Sequence, residues 1–163
     1  MDLRKATRDP WVWGQLALLL LVGAAAPLLP RHISMGDLDP MLNRVDPDWI
    51  RWLGAIPVAA GLGFVVWGVR SLGPGLTPGT EPLPGAPLVM TGAYAHSRHP
   101  IYLGLVLLIA GYTLAWSNWT LAVVLGFVAL RYFERKARVE ERWLLGRHRE
   151  YEAYMRHVAR RVL

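Results

Sequence analysis

Trp11 to Leu29 is nineteen residues without a single charge. An α-helix needs roughly 20 residues to cross a hydrocarbon core of about 30 Å. Ile50 to Val69 is a second such run, with one arginine, Arg51, near its start. In lipid the backbone must satisfy its own hydrogen bonds, so runs of this length read as helices. The first run is too long for the apolar core of a typical secretion signal. Pro27 and Pro30, with no small-residue cleavage site, also argue against one. The composition agrees, with 53% hydrophobic residues and 8 Trp in 163 residues, more apolar than an ordinary soluble domain.

Ile101 to Trp116 and Trp119 to Leu130 are two further apolar stretches, separated only by Ser117-Asn118. So short a link forces an antiparallel hairpin. Each arm is short for a full crossing. The expected fold is therefore all-α: a polytopic membrane helix bundle of about four transmembrane helices, with a C-terminal helical hairpin and cytoplasmic amphipathic helices. Three spans with a re-entrant hairpin is the alternative. A single membrane domain over residues 1–163 is expected, with two spans and a Pro/Gly-rich loop in 1–86.

Charge supplies the orientation. Of 18 Lys and Arg, 3 precede the first span, 2 lie between Arg70 and Arg98, and 10 lie from Arg131 onward. The loop Pro30 to Asp48 has 4 Asp against 2 Arg. The positive-inside rule then puts both termini and the Arg70–Arg98 loop in the cytoplasm, in a membrane of bacterial or archaeal type. The net charge of +6 reads as this bias plus attraction to anionic headgroups. No basic groove with interleaved aromatics points to nucleic acid. The absence of cysteine excludes disulfides, thiolate metal sites and cysteine nucleophiles.

Polar chemistry gathers at the two ends of the hairpin. Gly73 to Pro87 is rich in Pro and Gly and cannot be a helix. Pro100 suits a first helical turn, which places Arg98 and His99 at a helix N-terminus, where free N–H groups welcome an anion. Gly104 permits a close helix approach or room for a ligand. Tyr94 and Tyr102 read as interfacial anchors or as ligand contacts. His96 and His99 stand three apart with no third ligand candidate, so no metal is expected. Beyond Leu130 the fourth helix is expected to continue out of the membrane. On it Glu134, Arg138 and Glu141 share a face, Lys136 and Glu140 pair on an adjacent one, and Arg131, Arg135, Arg138 and Arg142 form a basic stripe. Tyr151, Tyr154 and Val158 mark a second, short amphipathic helix after Gly146.

The series Gly92, Tyr94, Arg98, His99, Pro100, Tyr102 and Gly104, then Glu140, Glu141 and Leu144, then Tyr151, Tyr154, Val158 and Arg160 resembles a known pattern. It is that of the isoprenylcysteine carboxyl methyltransferase and phospholipid methyltransferase superfamily of small integral-membrane enzymes. The resemblance covers roughly 87–160 and makes 87–163 the cofactor-binding hairpin and tail. The family's usual proline after the terminal valine is Ala159 here, and the Phe-Gly often found before the tyrosine pair is missing from 145–148.

The resemblance implies methyl transfer from S-adenosylmethionine. Tyr94, Arg98, His99, Pro100, Tyr102, Leu103, Gly104, Glu140 and Glu141 are the implied cofactor-binding positions. Arg138 or Lys136 would orient a carboxylate nucleophile, and Glu141 would deprotonate an amine. The implied partners are membrane lipids and a lipophilic or lipidated substrate. Isoprenylcysteine-like carboxyl O-methylation comes first. The alternatives are N-methylation of a phospholipid or small amine, S-methylation of a thiol, or a non-catalytic membrane scaffold. The sterol reductases, which share a similar hairpin with a nicotinamide cofactor, are larger and rank low.

Overall fold

A computed structural model describes residues 7–28, 48–116 and 119–163. Among these residues five α-helices run in chain order: α1 Pro10–Leu28, α2 Ala55–Leu72, α3 Pro100–Trp116, α4 Trp119–Arg147 and α5 Tyr151–His157. Short 3-10 turns, Asp48–Gly54 and Gly92–Ala95, lead into α2 and precede α3. Among the described residues there is no strand. The Ser117-Asn118 link and most of the Asp-rich loop lie outside them.

α1 and the stretch Arg51–Gly75 are long and apolar enough to cross a bilayer. Most of their side chains are exposed, with Leu20 at 71% and Ile56 at 67%. Apolar surface on that scale suits lipid rather than water. α3, at 17 residues, is shorter. The 29 residues of α4 are one unbroken helix, apolar as far as Leu130 and charged from Arg131. The expected continuation past Leu130 is thus a direct one.

α3 sits at the centre, against α1, α2 and α4. Its pairing with α2 is built on glycine. Gly54, Gly61 and Gly68 recur every seven residues, as do Gly104 and Gly111, so each set falls on one helix face. A Cβ at Gly61 would lie 2.7 Å from the Gly104 carbonyl oxygen, and one at Gly104 would lie 2.7 Å from the Gly61 oxygen. Gly54 and Gly111 are related in the same way. The two backbones touch, so Gly104 serves close helix approach rather than ligand space. Small residues are how helices associate where lipid removes the hydrophobic drive.

On its other side α3 runs antiparallel to α4. Tyr102, near its start, meets Phe133 and Glu140, whereas Ala110 meets Gly126. Val22 of α1, Val106 and Ile109 of α3, and Ala129 and Phe133 of α4 form the core. α5 packs through Tyr151 and Tyr154, with Val158 just beyond it, against Leu88 and Leu144.

The Pro/Gly-rich loop is held in place although, past a 3-10 turn at Gly73–Gly75, its described residues are not helical. The Asp9 carboxylate accepts from the Thr80 N–H at 2.6 Å and the Thr80 hydroxyl at 2.8 Å. Burial raises the Asp9 carboxyl, but the Thr80 and Trp11 N–H groups outweigh it and hold the group below its usual range. Farther along, Arg147 pairs with Glu81 at 2.7 Å and donates to the Pro82 carbonyl. These contacts draw the loop over the charged half of α4.

Candidate active site

Two polar clusters flank the start of α3, and they separate residues that are adjacent in sequence. The first cluster faces a cavity. Tyr102 projects from the first turn of α3 and lies between the His99 ring, stacked at 5.2 Å and 2°, and Phe133 at 5.1 Å. Its hydroxyl donates to Glu140 Oε2 at 2.8 Å, and His99 Nδ1 is 3.6 Å from the same oxygen. Lys136 lies one helical turn before Glu140, with Nζ 5.3 Å from the Tyr102 ring centroid. It does not ion-pair directly with Glu140, the partner its spacing predicts. It donates instead to Gln15 Oε1 at 2.5 Å and to the Pro78 carbonyl at 2.9 Å. Burial lowers the Lys136 ammonium to about 8, against the opposing pull of Glu140 and Asp9.

Tyr94, His99, Tyr102, Lys136 and Glu140 line this cavity of about 290 Å³, with Leu72, Ile101 and Leu105 as apolar wall. A smaller space of about 70 Å³ adjoins it, reached by Tyr94, His99, Glu140, Tyr151 and Tyr154. Burial, with Glu140 beside it, pushes the Tyr94 phenol far up, so at neutral pH it is a hydrogen-bond donor.

The second cluster is a knot behind the first. Glu141 is 4% exposed. Its Oε1 accepts from Arg98 Nε at 2.8 Å and its Oε2 from Arg161 Nε at 2.7 Å. Burial favours the neutral acid, but His99, Arg161 and Arg98 outweigh it and hold the carboxyl at about 2. The other side of the Arg98 guanidinium donates to the carbonyls of Val158 at 2.7 Å and Ala159 at 3.1 Å. The backbone N–H groups of Arg98 and His99 donate to the carbonyls of Arg160 and Arg161. The C-terminal tail therefore takes N–H groups that the sequence offers to an anion. Tyr154 adds a bond from its hydroxyl to the Tyr94 carbonyl at 2.6 Å. Burial, with Arg98 opposing it and Glu141 adding to it, moves that phenol up to about 12.

The expected site residues are thus distributed. Tyr94, His99, Tyr102, Lys136 and Glu140 come together around the cavity. Arg98 reaches the edge of the smaller space, but its hydrogen bonds go to Glu141 and the tail. Pro100 and Leu103 supply the first turn of α3, and Gly104 faces Gly61. Arg138 is exposed and lines neither of these cavities.

Sequence reasoning overlooks Arg161, Gln15 and Thr80. Gln15 leaves a visible signal, because it is the one side chain with an amide or charge in the run Trp11–Leu29. Polar side chains inside spans are costly and turn toward partners.

A sequence model of the phospholipid methyltransferase family matches residues 49–150. The chain belongs to that family. The family match takes in α2, the loop, α3 and α4, and so Tyr94, His99, Tyr102, Lys136 and Glu140, while Gln15, Tyr151 and Tyr154 lie outside it. Protein-S-isoprenylcysteine O-methyltransferase of Saccharomyces cerevisiae is 41% identical over 58 residues, which is 36% of this chain and 24% of the yeast protein. The aligned stretch thus spans about a quarter of that relative.

Proposed function

We propose that the protein transfers a methyl group from S-adenosylmethionine to a carboxylate on a lipophilic acceptor at the cytoplasmic face of the membrane. The hairpin α3–α4 would complete a four-span bundle. The observation that carries the reading is the cavity at the loop–helix junction, where Glu140, Tyr102, His99 and Lys136 converge in a chain of this family.

The residues fit the cofactor. His99 Nε2 is buried 3.5 Å from Glu141 Oε1 and Nδ1 lies 3.6 Å from Glu140 Oε2, so the imidazole ties the cavity wall to the knot behind it. Glu140 is an anion for the ammonium or the ribose hydroxyls. Tyr94 offers an aromatic face for the sulfonium or adenine, whereas Tyr102, stacked on His99 and Phe133, contributes by holding Glu140. Bound there, the cofactor supplies an electrophilic methyl group.

The protein's part is alignment and exclusion of water. Lys136 is cationic below about pH 8 and orients the acceptor carboxylate. Tyr102 and His99 fix Glu140, and the loop held by Asp9 and Arg147 covers the site. A carboxylate acceptor would carry no proton to remove, so the cavity would need no base at its oxygen. A fixed ammonium in the cavity disfavours a cationic amine acceptor, which ranks carboxylate above amine. Arg98 and Glu141 act from behind as positioning residues for His99.

The test is transfer of labelled methyl from S-adenosylmethionine to a farnesylcysteine analogue in reconstituted membranes. Wild type should methylate the carboxyl group, and Lys136→Met should raise the acceptor KM at least tenfold. Transfer only to amine lipids, or an unchanged KM, would overturn the carboxylate assignment.

A further inference from the structure

The outer face of α4 carries a feature that methyl transfer does not use. Arg131, Arg135, Arg138 and Arg142 are separated by four, three and four residues and are all exposed. That spacing puts them on one side of the helix. The same side begins, nearer the helix start, with Val124, Phe127 and Val128, which are exposed at 49%, 62% and 47%. One continuous face therefore changes from apolar to arginine at the point where α4 leaves its hydrocarbon-compatible half.

The acids of this helix lie on other sides. Glu134 and Glu141 meet Arg161, while Glu140 meets Tyr102 and His99. Among the described residues none of the four arginines is in an ion pair. Arg142 donates only to the Arg138 carbonyl, at 3.4 Å. Among the described residues, four positive charges are thus left without an acidic partner on the side of the helix that continues the exposed apolar stripe.

We propose that this face is a docking surface for the anionic phosphate headgroups of the surrounding leaflet. Its partner is the leaflet because the arginines continue the lipid-facing stripe of the same helix. From Arg131 to Arg142 the helix rises about 16 Å. Arg131 and Arg135 therefore reach the headgroups, and the outer pair stands within the charged layer, which extends about one Debye length of ~8 Å further. Lys136 and Glu140 lie on the opposite side of α4, so headgroup contacts would also set the depth of the cavity. The inference rests on the membrane placement of α4 and not on methyl transfer.

The test is lipid selectivity of the full chain in phosphatidylcholine vesicles, read as the motionally restricted fraction of spin-labelled phosphatidylglycerol against spin-labelled phosphatidylcholine. Wild type should prefer phosphatidylglycerol about fivefold, on the scale of one basic residue at an anionic surface. The preference should collapse at about 1 M salt, where the Debye length is about 3 Å. It should also vanish in Arg131→Gln/Arg135→Gln/Arg142→Gln, provided circular dichroism shows intact helix. Arg135→Glu alone decides the point if the triple variant does not insert. No preference in wild type, or one that survives these substitutions, overturns the proposal. Capture of a polyglutamate peptide without lipid preference also overturns it and assigns the face to an acidic protein.

Discussion

Replacing Glu141 by glutamine keeps the volume of the side chain and removes its charge. In the folded protein that carboxylate is 4% exposed and lies between Arg98 at 2.8 Å and Arg161 at 2.7 Å. Removing one partner of a buried ion pair costs about 3–5 kcal/mol, because the remaining charges stay desolvated. The depressed carboxyl gives a similar size. A carboxyl held at about 2 rather than 4.5 corresponds to about 3 kcal/mol, at roughly 1.4 kcal/mol per unit. Glu141→Gln should therefore lower the apparent Tm in detergent by on the order of 10 °C.

The sign with pH follows from a depressed carboxylate. The stabilisation is complete above pH 4.5 and drains away as pH falls toward 2. The acid limb of wild-type stability should therefore flatten in the variant. Glu140→Gln is the control, because its side chain loses one bond to Tyr102 and leaves the knot intact. Scanning fluorimetry of the three proteins from pH 7 to about pH 3 reads both effects. If Glu141→Gln melts with wild type, or if Glu140→Gln falls as far, the division into a structural knot and a cavity cluster is mistaken.

Three further outcomes follow from the geometry. Gly104→Ala puts a methyl group 2.7 Å from the Gly61 carbonyl oxygen; this overpacking should cost about 1–3 kcal/mol and lower the detergent Tm, whereas alanine at Gly63, which meets nothing within 4 Å, should not. Lys136 titrates near 8, so turnover with a carboxylate acceptor should fall as pH rises through that value and the orienting charge is lost, and Lys136→Met should abolish the fall. Removing Arg160–Leu163 takes away the carbonyl acceptors of the Arg98 and His99 N–H groups and the Arg161 partner of Glu141, so the truncated chain should lose its melting transition or shift it down more than Glu141→Gln does.

Much of the architecture was legible in the sequence because membrane helices write themselves as uninterrupted apolar runs. Pro100 marked the start of α3, and the run Leu130–Gly146 marked the extension of α4. The roles of Arg98 and Glu141 were not legible. A charged residue at a helix N-terminus looks the same in sequence whether it faces a ligand or the chain's own tail. Here the choice is made by carbonyls about sixty residues away, at Val158 to Arg161. Glu140 and Glu141 differ for a simple reason: neighbours on a helix point about 100° apart, so one reaches the cavity and the other the knot. The glycine pairing was written in two seven-residue repeats, but matching them requires knowing that α2 and α3 are neighbours. The Asp9–Thr80 contact has no local signal, since the two residues are 71 positions apart.

The central claim is that the Glu140–Tyr102–His99–Lys136 cavity holds the methyl donor. Isothermal calorimetry of S-adenosylmethionine and S-adenosylhomocysteine against the detergent-solubilised protein tests it most directly, with Glu140→Gln beside wild type. Wild type should bind at micromolar Kd, and Glu140→Gln at least tenfold more weakly at an unchanged Tm. No binding to folded wild type, or equal binding to both proteins, would contradict it.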